Sequence, residues 1–330
     1  MLILPKLGMA PSPSLSSASG GRPPDFMLSL RPYHFVQLRP GADFSVFLTH
    51  FRTAAPADAL LCFDLEDSLQ ADSPAATAAR KAAGRHTLAA LLTSPGAPDP
   101  ATVAIRVNAV GTAAYALDQR LLMTLPTPRA VLLPKVESGA AVRRALADLP
   151  AGLTDVIAIV ETAAGLRAVP ELATLTHDAR FTTLALGHSD LNLSLGHFPF
   201  HHQESATYWQ WVAYLDRHLA PAGKRLLNSP VLRLADHALL TATLRRFATY
   251  RSAAGQITLS LAQTHWCGRH TPPATGWPAE PAAPAPTAIR AAARHLLAAA
   301  ASAPVPGSAL ALTPERRIIA PQEVAAARRV

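Results

Sequence analysis

Apolar residues along the chain gather into eight short runs: His34–Leu38, Leu60–Leu65, Val103–Val107, Ala130–Pro134, Val156–Val160, Thr183–Leu186, Arg225–Asn228 and Gln256–Leu261. Most are continuous rather than alternating, the pattern of strands covered on both faces. Between them lie Ala/Leu/Arg segments whose apolar positions recur at helical spacing, among them Ala75–Leu92, Ala140–Leu149, Leu166–Leu175 and Tyr208–Leu219. Eight strands alternating with helices predict a (β/α)8, or TIM, barrel rather than an open doubly wound sheet. No GxGxxG or GxxxxGK[ST] follows a run, which argues against a nucleotide-binding sheet.

The flanks differ in character. Residues 1–24, rich in Pro, Ser and Gly, read as a disordered leader, with an apolar start too short for a signal sequence. The barrel is expected over 25–270 and a Pro/Ala-rich linker over 271–288. Residues 289–330 then form a cap or oligomerisation arm: a last helix over Thr287–Ala301, a small hairpin and a terminal helix.

Composition narrows the setting. At 49% hydrophobic residues the chain has ample material for a core, yet no run approaches the ~18 residues that span a bilayer. Two cysteines, Cys62 and Cys267, without a CxxC suit a reducing cytoplasm better than a disulfide framework. The net charge of +8 rests mostly on arginines scattered among Ala and Pro. No basic cluster interleaves with aromatics, so specific nucleic-acid binding is not expected; the charge helps attract an anionic substrate.

Chemistry concentrates where the runs end. Glu161 follows the fifth run and Asp190 the turn after the sixth, 29 residues apart. Two strand-end oxygen ligands from neighbouring βα units can seat a hard cation such as Mg²⁺, or they are ordinary polar residues of strand ends. Asp64, Glu66 and Asp67 crowd the end of the second run, an arrangement that calls for a cation or an arginine. Arg106, inside the third run, either pairs with that cluster or offers its fork to a substrate carboxylate, and the two roles are compatible. Lys135 and Glu137 end the fourth run, and an ion pair between them is expected over a Schiff-base lysine. His188, His197, His201 and His202 lack the spacing of a zinc helix and read as loop histidines.

Taken in order, DLEDSL, IRVN, LPKVES, IVETAAGL and LGHSDLNLSLG resemble the HpcH/HpaI aldolase and citrate lyase beta-subunit family, over about residues 30–265 with a weaker echo in the tail. The resemblance implies a TIM barrel with one Mg²⁺ and a reversible aldol or Claisen cleavage of a small oxo acid, often with an acyl-CoA partner, in a homotrimer or homohexamer. Carried over residue by residue, Glu161 and Asp190 match the Mg²⁺ ligands and Arg106 the arginine that holds the oxo acid. Glu66 and Asp67 match the acids behind the metal and its waters. Glu137 matches a further strand-end acid, and with Gly187 of LGHSDL it is assigned to the substrate side.

The chain also departs from the family pattern. Gln37 stands where relatives carry a proline, and Ser260–Leu261 stand where an IHPxQ-type segment has His-Pro. In the tail, Ala320 takes the place of an acid/base aspartate, so that group is absent or Glu323 replaces it. The reading is a cytoplasmic Mg²⁺-dependent carbon–carbon lyase acting on a small oxo or hydroxy acid, free or as its acyl-CoA thioester. The alternatives are an acyl-CoA thioesterase on the same site and a non-catalytic barrel subunit.

Overall fold

In the computed structural model, which describes residues 30–39, 42–175, 178–268, 285–304 and 310–330, eight parallel strands close into a barrel in chain order. The strands and helices run β1 (Arg31–Gln37), α1 (Ser45–Ala54), β2 (Leu60–Asp64), α2 (Pro74–Leu92), β3 (Val103–Arg106), α3 (Ala113–Leu122), β4 (Ala130–Leu133), α4 (Gly139–Asp148), β5 (Asp155–Val160) and α5 (Ala163–Thr174). They continue with β6 (Thr183–Leu186), α6 (His188–Leu195), α7 (Ala206–Leu219), β7 (Arg225–Asn228), α8 (His237–Phe247), β8 (Ala253–Thr258) and α9 (Leu261–Cys267). An arm follows: α10 (Pro286–Ser302), the hairpin β9 (Ala311–Leu312) and β10 (Ile318–Ile319), and α11 (Pro321–Ala327). Among the described residues no helix is long and apolar enough to cross a membrane. The expected leader and most of the expected linker lie outside the described residues; positions 286–288 of that linker already begin α10, with Pro286 in its first turn.

The period-two alternation of the strands sorts their side chains into two layers. Val156, Ala158 and Val160 of β5 face the helices, together with Leu61 and Phe63 of β2 and Ile105 of β3. Ile157, Ile159, Leu60, Cys62, Ala104, Leu132 and Ala185 fill the barrel interior. Each fully buried aliphatic side chain stabilises the fold by ~1.5–3 kcal/mol. Continuing the inward set past this apolar layer leads to Asp64 on β2, Arg106 on β3 and Glu161 after β5. The alternation that fills the core therefore also delivers charge to the strand ends, where TIM-barrel sites form.

The loops after the strands are short because the next helix is capped at once. Ser138 accepts a hydrogen bond from the backbone N–H of Ala141, and Thr162 from that of Gly165; such caps stabilise by ~1 kcal/mol. They directly follow Glu137 and Glu161, so each strand-end acid sits between a strand and a fixed helix start.

Two strands begin earlier than the apolar runs suggested. The first run, expected at His34–Leu38, is a strand from Arg31, and the eighth, expected at Gln256–Leu261, is a strand over Ala253–Thr258. These two strands pair with each other to close the barrel, Arg31 opposite Gly255. Closure recruits the small residues 253–255, which carry little apolar signal; a Cβ on Gly255 would lie 2.7 Å from the Arg31 carbonyl oxygen. Ser260 caps α9 and Leu261 begins it, so the expected end of the eighth run is helical.

Candidate active site

The site is assembled first from backbone. Asp64, 3% exposed, accepts N–H bonds from Glu66 and Ser68, both at 3.0 Å. It also receives both arms of the Arg106 fork, Nε and Nη2, at 2.7 Å. Burial works against the Asp64 charge, but Arg106 prevails and holds the carboxyl below its usual range. Of the two roles open to Arg106, the structure shows the pairing with the acidic cluster. Its Nη1 stands 3.2 Å from Glu66 and 3.6 Å from Asp67, its guanidinium lies 5.3 Å from the centre of the Phe35 ring, and it lines the cavity at the barrel mouth.

Lys135 corrects the expected pair with Glu137. Its backbone adopts φ 51°, a left-handed conformation uncommon for a residue with a side chain and a mark of functional sites. That turn lets its N–H reach Glu161 Oε1 at 2.8 Å. The ammonium bonds Glu66 closely, donates to Asp67 at 3.2 Å and stands 3.9 Å from Asp190. Glu137 is exposed and accepts instead from the Thr162 hydroxyl at 2.8 Å. It does not line the mouth cavity, whereas Asp67, Arg106, Glu161, Gly187 and Asp190 do.

Five carboxylates, Asp64, Glu66, Asp67, Glu161 and Asp190, therefore share two cations, Arg106 and Lys135. Burial drives Glu66 up to about 8 against the pull of both cations. Although burial acts to raise Asp67 too, Arg106 and Lys135 hold it at about 2. Burial and the Asp67 charge push Asp190 to about 6. Glu161, 2% exposed, is driven well above the carboxylate range by burial and then by Asp190 and Glu66. Gly187 makes room for it: a Cβ there would lie 2.6 Å from the Glu161 Cβ and 3.0 Å from Ile159 Cγ2.

This donor set fits Mg²⁺. Among the described residues no three His, Cys, Asp or Glu side chains form a ready cage, but Mg²⁺ binds through one or two carboxylates and keeps water and substrate oxygens around it. Glu161 and Asp190 would supply the two hard oxygen ligands. The Lys135 ammonium between Glu66, Asp67 and Asp190 shows that a cation is accommodated beside them.

The arm covers the same mouth. The Gln322 side-chain amide donates to Asp190 at 2.8 Å and to Asp67 at 3.2 Å. Glu323 does not take the place of the missing aspartate: it is 2% exposed and turned away from the cavity. It accepts from Arg317 and from the Ala320 N–H, with His202 Nε2 at 3.4 Å. His202 in turn bonds His188 at 3.0 Å. These two are not loop histidines without role: His188 opens α6, is buried in the cavity wall, and with His202 ties barrel to arm. His197 and His201 pack against Trp211.

The remaining wall is apolar. Phe35 and Val36 from β1, Pro230, Leu232 and Leu234 after β7, Ile257 and Leu259 at β8, and Leu310, Leu312, Ile318, Ala320 and Pro321 from the arm enclose a cavity of about 380 Å³ continuous with the acids. Sequence reasoning did not find this wall, nor Gln322 or His188. Its residues come from four separate chain segments and share no local pattern.

Comparison with known proteins agrees with this architecture. The citrate lyase beta subunit of Mycobacterium tuberculosis, complexed with oxaloacetate and magnesium, aligns with a TM-score of 0.55 at 25% identity, over 73% of this chain and 98% of that one. CitE from the same organism, in complex with magnesium, acetoacetate and coenzyme A, aligns with a TM-score of 0.57 at 23% identity, over 91% and 96%. RipC from Yersinia pestis aligns at 0.54 and 22%, over 73% and 94%. No curated protein matches the chain. Residues 47–210 match the model of HpcH/HpaI aldolase/citrate lyase. This segment, which runs from α1 into α7 and carries every strand-end acid and both cations of the site, is where the chain is similar to the HpcH/HpaI aldolase/citrate lyase family.

Proposed function

We propose that this protein is a Mg²⁺-dependent carbon–carbon lyase acting on a small oxo or hydroxy acid. The observation that carries the reading is the surplus of acids: Glu161 and Asp190 line the mouth beside Gly187, and the two available cations are already engaged by Asp64, Glu66 and Asp67. A family relative at 25% identity is complexed with magnesium and oxaloacetate, which supports the same use here.

When bound, Mg²⁺ supplies a Lewis acid that offsets charge developing on a keto oxygen. The chain's own residues do the rest. Glu161 and Asp190 hold the ion, and the Lys135 N–H fixes the Glu161 rotamer. Asp64 clamps the Arg106 fork in the cavity wall, with Nη1 against Glu66 and Asp67, so that the guanidinium can orient a substrate carboxylate. Gln322 closes over Asp67 and Asp190 and limits water at the acids. A carboxamide exchanges no proton in the ordinary pH range, and Glu323 is sequestered by Arg317, so among its described residues the arm brings no acid/base group to the cavity. That favours aldol-type cleavage of a free acid over Claisen chemistry on a thioester. The same feature is the one observation in favour of a non-catalytic barrel, which would bind Mg²⁺ and ligand without turnover.

The test is thermal unfolding with Mg²⁺ and pyruvate or oxaloacetate. At one hundred times Kd the ligand adds ~2.7 kcal/mol, a rise of several degrees in Tm. Asp190→Ala is expected to abolish the rise, and stabilisation that survives this change removes the site assignment.

A further inference from the structure

The charged groups of the cavity at the mouth concentrate on one side, with Arg39 alone at the opposite rim. The cavity's polar side is formed from β2 to β6; the opposite side, from β7 through β8 to β1 with the arm above, is built mostly from aliphatic and aromatic side chains, with Gln37 and Arg39 at the end of β1 and Gln322 of the arm reaching toward the acids. Leu259, Leu312, Ile318 and Phe35 there are only half-buried, so the protein leaves their apolar surface facing the cavity. A contiguous apolar wall beside convergent polar groups is the usual form of a small-molecule site.

Resting on the reading above, we infer that the acid held at Glu161 and Asp190 carries an uncharged aliphatic chain of several carbons, laid against Leu232, Ile257 and Leu259 of the barrel and Leu312 and Ile318 of the arm. Two alternatives fit this wall poorly. A second carboxylate, as in a short dicarboxylic acid, needs a cation on the apolar side. Arg106 and Lys135 serve the acidic cluster and Arg317 serves Glu323, while Arg39 stands exposed on the rim, its Nε donating to Gln37. A pantetheine arm carries amides that lose their water against leucines and isoleucines without gaining partners from those side chains. Hydrocarbon has no such cost.

The experiment is calorimetric titration at fixed Mg²⁺ with pyruvate, 2-oxobutanoate, 2-oxopentanoate and 2-oxohexanoate, with oxaloacetate as the charged comparator. Affinity is expected to rise about fourfold with each added methylene until the cavity is filled, and oxaloacetate is expected to bind more weakly than 2-oxopentanoate. In Leu312→Asn the dependence on chain length flattens; Ile318→Asn, placed beside it on the hairpin, serves if the first variant does not fold. Mg²⁺-dependent binding of pyruvate with no gain along the series, or tighter binding of oxaloacetate, overturns the chain assignment and leaves the lyase reading standing. Absence of Mg²⁺-dependent binding by every acid overturns both.

Discussion

The two halves of the barrel mouth are shaped by one alternation of side chains yet reach opposite solutions. From β2 to β6 the inward positions end in Asp64, Arg106 and Glu161, joined by Lys135 and Asp190. These groups are held by backbone N–H donors and by one another, so the half is rigid before any ligand arrives. From β7 to β1 the wall is mostly apolar, with the Arg106 guanidinium over Phe35 and Arg39 at the rim, and several of its residues remain partly uncovered beneath the arm. On the function proposed above, the contrast is a division of labour: the first half would fix the chemistry by preorganised charge, and the second would set which acid is retained.

The comparison breaks most visibly if the halves respond alike to truncation. Arg106→Met leaves Asp64 buried without its counter-charge and is expected to cost ~3–5 kcal/mol, read from urea unfolding. Leu259→Ala, half-buried beside a cavity, is expected to cost only ~1–2 kcal/mol. Equal losses would mean that the charged half is no better organised than the other.

The next largest effect is with pH. In the fold Glu66 is raised to about 8 and Asp190 to about 6, above unfolded values of ~4.3 and ~3.9. The folded state therefore binds more protons. The stability from these two groups is complete below pH ~4 and declines as pH rises, through about 6 for Asp190 and about 8 for Glu66. Asp67, held at about 2, acts oppositely: its contribution is present above ~3.9 and is lost as pH falls toward about 2. In EDTA, Tm is expected to fall by several degrees from pH 5 to 8.5, and Mg²⁺ is expected to remove the Asp190 part of that fall. A flat Tm in EDTA would show that the acids are already neutralised by Arg106 and Lys135.

Gly187→Ala sharpens the contrast from inside. The added methyl collides with Glu161, for an expected cost of ~1–3 kcal/mol in urea together with loss of the Mg²⁺-dependent rise in Tm. The most local effect is expected from Gln322→Ala. It removes two hydrogen bonds that carry the arm onto Asp67 and Asp190, at ~0.5–1.5 kcal/mol each. Hydrogen exchange should quicken in α11 and leave β2 to β6 unchanged; protection lost across the barrel would make the arm part of the core.

Much of this was legible in the sequence because it is local. Continuous apolar runs marked the strands, and the ends of those runs marked Asp64, Arg106 and Glu161. A buried arginine called for a partner, either the acidic cluster or a substrate carboxylate. What stayed hidden depends on the third dimension. Lys135 and Glu137 are near neighbours in sequence, but a left-handed turn at Lys135 sends the ammonium across the mouth to Glu66, 69 positions away. The sequence leaves the tail acid either absent or replaced by Glu323; the start of α11 decides between them by aiming Gln322 at the cavity and Glu323 at Arg317 and His202. The shift of β1 and β8 toward their starts follows from their pairing at closure, which no apolar count records.

The shared parity of core and site has a further consequence for how this chain tolerates insertions and deletions. Removing one residue within β5 would exchange its interior and exterior sets. The change would set Glu161 among the hydrophobic contacts of the helical layer and present Val160 to the cavity at the mouth. An indel in these strands thus destroys packing and function in one event, whereas the loops that follow the helices, at the far end of the barrel, are free to vary in length.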